Sequence, residues 1–127
     1  MKERCKKKVR DEIFKKFNGH CAYCGCDIKR DNFQIDHIIP LQRGTTENHL
    51  KTERGSNELN NYNPSCISCN SSKGQMSFET WRKELALKKY RLNRDVPQYR
   101  LMKRFGLIRE VKKSITFYFE EISNGRK

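Results

Sequence analysis

The sequence predicts an α+β fold: a small metal-tied core of two short strands and a helix, with further helices on either side. Three observations predict it. Apolar residues recur at helical spacing near the start of the chain. Two short stretches, at Phe33–Asp36 and Tyr62–Pro64, have strand character. Two Cys-x-x-Cys pairs, Cys21/Cys24 and Cys66/Cys69, enclose both stretches.

Each element has a local reason. Cys5, Val9, Ile13 and Phe17 recur every four positions with Lys and Arg between them, so residues 3–17 read as an amphipathic helix. Cys5 belongs to its core face. Asn18-Gly19 is a helix stop. Residues 33–36 alternate apolar and polar side chains, and Pro40, which cannot donate to a ladder, ends that strand. Residues 42–60 are polar and rich in Asn and Gly, and no regular element is read there; a long bare loop in a small domain is usually functional or disordered. A brief second strand is expected at residues 62–64. A short helix then starts near Cys66 and carries Cys69, Asn70 and Lys73.

Ser77 is an N-cap candidate for a helix running to about Leu92, with Phe78, Trp81, Leu85 and Leu92 on its buried face. A further helix is expected from Gln98 to Phe105, after Pro97 and before Gly106. Ile115–Glu121, centred on Phe117-Tyr118-Phe119, reads as a strand. Trp81 and this aromatic run read as core rather than as a base-stacking platform. No internal repeat or low-complexity segment is present.

Cysteines two residues apart can place two thiolates on one tetrahedral ion. Two such pairs complete a four-cysteine zinc site. Such a site is closed and structural, so any chemistry lies elsewhere. Cys26 is an alternative to Cys24 in it, and three disulfides are the rival arrangement for six cysteines. The first residues show no apolar h-region, and a chain without a secretory signal favours metal over disulfides. A cytoplasmic location is therefore expected. No apolar run approaches the ~20 residues needed to span a bilayer, so no membrane partner is expected. Forty-one residues separate Cys24 from Cys66, more than the ~15–20 of an ordinary zinc ribbon. The insert holds Asp36-His37. Zinc would tie the knuckle before the first strand to the start of the following helix.

The 127 residues suffice for one domain with a modest core. Charged residues are 34% of the chain and the hydrophobic set only 35%, so a metal staple suits it. Lys and Arg number 28 against 15 acidic residues, for a net charge of +13. Such an excess fits a polyanion, most simply nucleic acid. A solvated, repulsive surface is the plainer reading. Arg43 and Arg54, on the long loop, are candidates for contact with the phosphate backbone. The lysine-rich first helix reads as a solvated face, His20 as structural and His49 as a loop residue.

Cys21-x-x-Cys24, Asp36-His37-Ile38-Ile39-Pro40, Asn61 and Cys66-x-x-Cys69-Asn70-x-x-Lys73 together resemble an HNH endonuclease, and more narrowly the small phage-type members. The resemblance covers residues 19–74. It implies a zinc-stapled ββα-metal core, also called a His-Me finger, with flanking helices and a C-terminal helix-plus-strand extension. Residues 1–76 would be the N-terminal helix plus zinc-bound nuclease core, and 77–127 an extension packed on the same domain. A phage-encoded enzyme would act in the host cytoplasm.

The implied activity is hydrolysis of DNA phosphodiesters, most simply in double-stranded DNA, leaving 5′-phosphate and 3′-hydroxyl ends. His37 suits the general base because its pKa lies near working pH. Asp36 suits a Mg²⁺ or Mn²⁺ ligand as a hard anionic oxygen. The resemblance gives Asn61 the task of orienting His37 by accepting its ring N–H; Asn60 and Asn63 are its rivals. The third motif position, often His, is here Asn70, whose amide oxygen can also bind Mg²⁺. Lys73 is three residues from Asn70 on one helix face and is a candidate DNA-phosphate contact. A non-catalytic zinc module that only binds nucleic acid is the alternative, although it leaves Asp36-His37, Asn61 and Asn70 unexplained. No protein partner is readable.

Overall fold

A computed structural model describes residues 3–39 and 58–123, with side chains from residue 7 onward. Arg43, Arg54 and His49 fall outside the described residues, as does the side chain of Cys5. The order of elements is α1 (Glu3–Lys16), β1 (Gln34–His37), a 3-10 turn (Leu59–Asn61), β2 (Tyr62–Ser65), α2 (Ile67–Lys73), α3 (Phe78–Ala86), α4 (Lys88–Asp95), α5 (Pro97–Arg104) and α6 (Tyr118–Ser123). The chain divides into two compact units. One is Met1–Phe78 with Thr116–Lys127; the other is Glu79–Ile115. Residues 116–123 therefore group with the core, not with α4 and α5.

In the first unit β1 and β2 pair antiparallel, with Gln34 opposite Ser65, Ile35 opposite Pro64, Asp36 opposite Asn63 and His37 opposite Tyr62. Pro64 is tolerated because a two-stranded ribbon has only edge strands. α1 covers the ribbon through a small core of Ile13, Phe33 and Tyr62, flanked by Val9, Phe14, Ile28 and Ile35. Its basic side chains are partly structural. Lys16 donates to the Tyr62 carbonyl at 2.7 Å, and Arg10 donates to the Phe33 carbonyl at 3.1 Å while lying over the Phe33 ring.

α2 follows β2 directly, as the sequence indicates, with Cys66 as its N-cap. Tyr23, Phe78, Phe117 and Phe119 form an aromatic cluster, with ring centroids 4.9 to 6.1 Å apart. The returning tail is bound to the first cysteine knuckle by Tyr118 N–H to Tyr23 O and Phe119 N–H to Ala22 O, both at 2.9 Å. Gly25 has a φ of +79°, and a Cβ there would meet Tyr118 at 2.8 Å, so that turn of the knuckle needs glycine.

Three expectations are corrected. Ile115–Glu121 is not a strand: residues 118–123 are helical. Glu120 accepts the Phe117 N–H at 2.9 Å, closing the first turn as an N-terminal cap would. The β-prone aromatics are set by packing on Tyr23 rather than by strand pairing. The helix expected from Ser77 to Leu92 is two helices. The Leu87 N–H is shared between the carbonyls of Lys83 and Glu84, both at 3.2 Å, and no Gly or Pro marks this break. Leu92 is 36% exposed rather than buried, whereas Trp81 is buried as expected. α5 follows the reading closely, with Pro97 at its start and Gly106 at φ +77° after its end. No helix among the described residues is long and apolar enough to cross a membrane.

Candidate metal centre and active site

The knuckle at residues 21–24 and the N-terminus of α2 converge on one point. The Sγ atoms of Cys21, Cys24, Cys66 and Cys69 all lie within 4.8 Å of one another. Cys24 and Cys66 sulfurs are 3.8 Å apart. Four ligands about 2.3 Å from a tetrahedral zinc would stand roughly 3.8 Å from each other, so the cluster has the size zinc requires. Two of the sulfurs accept from the backbone: the Cys69 N–H points at Cys66 Sγ at 3.3 Å, and the Tyr23 N–H at Cys21 Sγ at 3.4 Å. A hydrogen bond from Cys69 holds the Cys21 thiol down to about 4, and the same bond pushes Cys69 up. Four thiols this close cannot all ionise unaided, and a bound cation removes that conflict. Cys26 is exposed and outside the set of four. Partial loss of solvation, followed by the neighbouring Cys24 and Cys66 sulfurs, pushes its thiol up to about 12. The four sulfurs that lie together thus include Cys24 and not Cys26.

Behind this centre lies a buried polar network. Asp36 is 4% exposed, and the side chain of Lys73 is fully buried. The Lys73 ammonium lies 3.1 Å from Asp36 Oδ2 and 3.3 Å from Oδ1, and 3.4 Å from the His37 carbonyl. The Tyr23 hydroxyl donates to Asp36 Oδ2, and Asn63 Nδ2 donates to the Tyr23 oxygen at 3.3 Å. Burial first, then the Asp36 charge, raises the Tyr23 ionisation far above its ordinary value. A carboxylate accepts at about four lone-pair sites, so three contacts leave Asp36 room for one more. Hard oxygens from Asp36 and Asn70 are the donor chemistry that Mg²⁺ or Mn²⁺ takes.

His37 ends β1, half-buried, with the Tyr62 ring edge-on at 5.1 Å and an interplanar angle of 82°. Asn61 fixes the backbone just beyond it. Its amide oxygen accepts the Ile39 N–H at 2.8 Å, its amide nitrogen donates to the Ile39 carbonyl at 3.0 Å, and its own carbonyl accepts the Ile38 N–H at 2.8 Å. These three bonds turn the chain at the end of the strand.

The structure therefore brings Asp36, His37, Asn61 and Lys73 together, with Asn70 on the helix that carries Lys73. One assignment changes: the Lys73 ammonium is buried on Asp36 rather than open to phosphate. The oxygen of Asn61 accepts the Ile39 N–H and, as an amide oxygen, has a second lone pair. Its rivals go elsewhere: Asn60 is exposed and Asn63 serves Tyr23. His20, read as structural, lies 3.1 Å from Asp27 and against the Tyr118 ring. Sequence reasoning missed Tyr23, which lies inside the first cysteine pair. A carboxylate in a buried strand must find donors, and a tyrosine in the knuckle is the signal that could have named one.

The geometry agrees with what the chain is similar to. The family model described as HNH endonuclease matches residues 21–86. SPbeta prophage-derived YoqL of Bacillus subtilis (strain 168), itself named for an HNH endonuclease, is 36% identical over 69 residues, covering 51% of this chain and 27% of that protein. The CRISPR-associated endonuclease Cas9 of Corynebacterium diphtheriae is 35% identical over 71 residues, covering 55% of this chain and 6% of Cas9. The chain thus spans only a minor part of the length of these relatives. Among solved structures, the Type II-C Cas9 enzyme from Actinomyces naeslundii matches with a TM-score of 0.49 at 26% identity, over 62% of this chain and 8% of that one.

Proposed function

The chain belongs to the HNH endonuclease family, and from that premise we propose that it is a metal-dependent endonuclease that hydrolyses phosphodiester bonds in double-stranded DNA. The observation that supports this best is the end of β1. Asp36 and His37 are consecutive there, Asp36 is gripped from α2, and Asn61 clamps the two residues that follow His37.

The roles follow from that placement. A ring nitrogen of His37 takes a proton from the attacking water, whose oxygen bonds to phosphorus as the P–O3′ bond opposite it breaks, and the departing 3′-oxygen takes a proton from solvent. Asn61 acts as a positioning residue: by holding Ile38 and Ile39 it fixes where β1 ends, and so where the imidazole stands. Tyr23 and Lys73 hold the Asp36 carboxylate in one orientation. Asp36 and Asn70 would hold Mg²⁺ or Mn²⁺, which when bound neutralises charge on the phosphate and the leaving oxygen. The four-cysteine zinc locks the knuckle to α2 and thereby keeps Lys73 beneath Asp36. Products carrying 5′-phosphate and 3′-hydroxyl ends are expected.

A supercoiled plasmid incubated with the zinc-loaded protein tests the reading. Relaxation or linearisation should require added Mg²⁺ or Mn²⁺ and should fall sharply in His37→Ala. A protein that binds DNA but never cuts it with either metal would instead be the non-catalytic zinc module.

A further inference from the structure

The unit Glu79–Ile115 carries charge for which the nuclease site has no use. It holds 12 of the 28 basic residues and 4 of the 15 acidic ones, a net +8 out of +13. Each of its carboxylates already has a cation within the unit. Glu79 pairs with Arg82 at 3.0 Å, Glu84 with Arg91 at 2.7 Å, Asp95 with Arg94 at 2.7 Å and Glu110 with Lys103 at 3.3 Å. Eight cations remain. Lys89 and Arg100 are spent on backbone carbonyls. Lys83, Lys88, Arg104, Arg109, Lys112 and Lys113 are exposed and form no ion pair among the described residues, although Lys88 adds to the charge around Glu84.

These cations are also held in place. Lys89 donates to the Val111 carbonyl, which brings Lys112 and Lys113 to the end of α4 where Lys88 stands. Glu110 accepts from Asn93 on α4, from Tyr99 on α5 and from Lys103, fixing the segment that carries Arg109. An ordered set of cations with its own anions already satisfied is complementary to a polyanion. Binding of single strands would need open aromatic platforms. Here the exposed rings are Tyr90, at 61% with the Arg94 guanidinium over one face, and Phe105, at 77%. Lys88 and Arg104 stand on helices, and Arg109, Lys112 and Lys113 on the segment held by the Lys89–Val111 and Glu110 bonds; fixed cations that outnumber the open rings favour contacts to the backbone of a duplex.

We propose that residues 79–115 form a second DNA-binding surface, on which Lys88, Lys112 and Lys113, with Arg104 and Arg109, contact phosphates of duplex DNA without reading bases. The unit would hold the duplex while the attached nuclease core acts. The proposal rests on the reading that DNA is the substrate, but not on the catalytic roles.

The full chain should be titrated onto a labelled 30-base-pair duplex and onto one of its single strands, over a range of KCl and without added Mg²⁺. Lys88→Gln/Lys112→Gln/Lys113→Gln is compared with Lys7→Gln/Lys8→Gln/Lys15→Gln, an equal charge change on exposed α1 positions. The first triple variant should bind duplex at least about tenfold more weakly, with a log–log salt slope smaller by roughly 2 to 3, at about 0.9 per lost phosphate contact. The α1 variant should lose much less. Three results overturn the inference: unchanged duplex binding in the first variant, equal loss in both, or a loss confined to the single strand. Cutting by the wild type, assayed in parallel, keeps the two proposals apart. Cutting with unchanged variant binding defeats only this one. Selective loss of binding without cutting defeats only the catalytic one.

Discussion

The ammonium of Lys73 lies 3.1 Å from the carboxylate of Asp36, and the two side chains are respectively 0% and 4% exposed. α2 and β1 are therefore joined by a buried ion pair directly behind the residue proposed as general base. Such a pair need not stabilise the fold relative to an apolar replacement, but breaking one half strands a buried charge.

Lys73→Met should therefore destabilise the protein by about 3–5 kcal/mol, the range typical of a broken buried pair. Asp36→Asn/Lys73→Met should regain part of that loss, since neither charge is then left alone. Urea unfolding of the four proteins in the cycle measures the coupling. If Lys73→Met leaves stability unchanged but flattens the salt dependence of DNA binding, Lys73 is a phosphate contact after all and the buried pair is not the solution structure.

The contrast between these two roles shows what the sequence could and could not reveal. The cysteine spacing, Asp36-His37, the strand at residues 62–64 and the helix after Cys66 all follow from local patterns, and the structure has them. The spacing puts Lys73 on a helix three residues after Asn70, yet sequence periodicity cannot tell a face that meets solvent from one that meets a buried carboxylate. The partners of Asp36 arrive from residue 23 and residue 73, so no window of sequence contains the network. The strand expected around Phe117 failed for the same reason: Glu120 and the packing on Tyr23 decide the conformation of an aromatic run that is β-prone in isolation.

Zinc should be structural in the strict sense. Structural zinc in small modules is worth an apparent ~10–16 kcal/mol at neutral pH, as much as the whole ~5–15 kcal/mol stability of a typical domain. Cys66→Ser should unfold the first unit through loss of the metal alone, since the serine oxygen can still cap α2. Cys26→Ser should keep one zinc per chain, because its sulfur is outside the set of four. Native mass spectrometry decides: zinc lost in Cys26→Ser but kept in Cys24→Ser would reverse the ligand assignment. Lowering the pH should release the metal, because protons compete for the thiolates.

Tyr23 predicts behaviour at high pH. Its ionisation is raised by burial and by Asp36, so the folded chain keeps a proton that an unfolded tyrosine releases near pH 10. The sign follows: stability from this group is complete below about pH 10 and is lost as pH climbs above it. Tyr23→Phe should be less stable at pH 7, by the ~1.5–3 kcal/mol of a hydrogen bond to a charged group. The gap between the two proteins should then narrow above pH 10. A gap that stays constant to pH 11.5 in denaturant titrations would mean that Tyr23 ionises normally.

The sharpest prediction separates His37 from the residues that position it. His37→Ala removes the proposed base but leaves the metal ligands and the basic surface intact, so single-turnover nicking should fall by at least the ~10²–10⁴-fold of lost acid–base catalysis. Duplex affinity should stay within a few-fold. Asn61→Ala leaves the imidazole in place but frees Ile39, whose N–H and carbonyl both lose their partner. Its nicking rate should fall less than that of His37→Ala, and its stability should drop by ~1–3 kcal/mol for the backbone groups left unpaired. The pH profile tells the two apart. Asn61→Ala should still show a rate that rises as an imidazole deprotonates, because the base remains. His37→Ala should lose that rise. Asp36→Ala should be the variant most improved by excess Mn²⁺, since it weakens metal binding and not proton transfer. Wild-type cutting by His37→Ala, or an imidazole-like profile that survives in it, would show that the proton goes to another group.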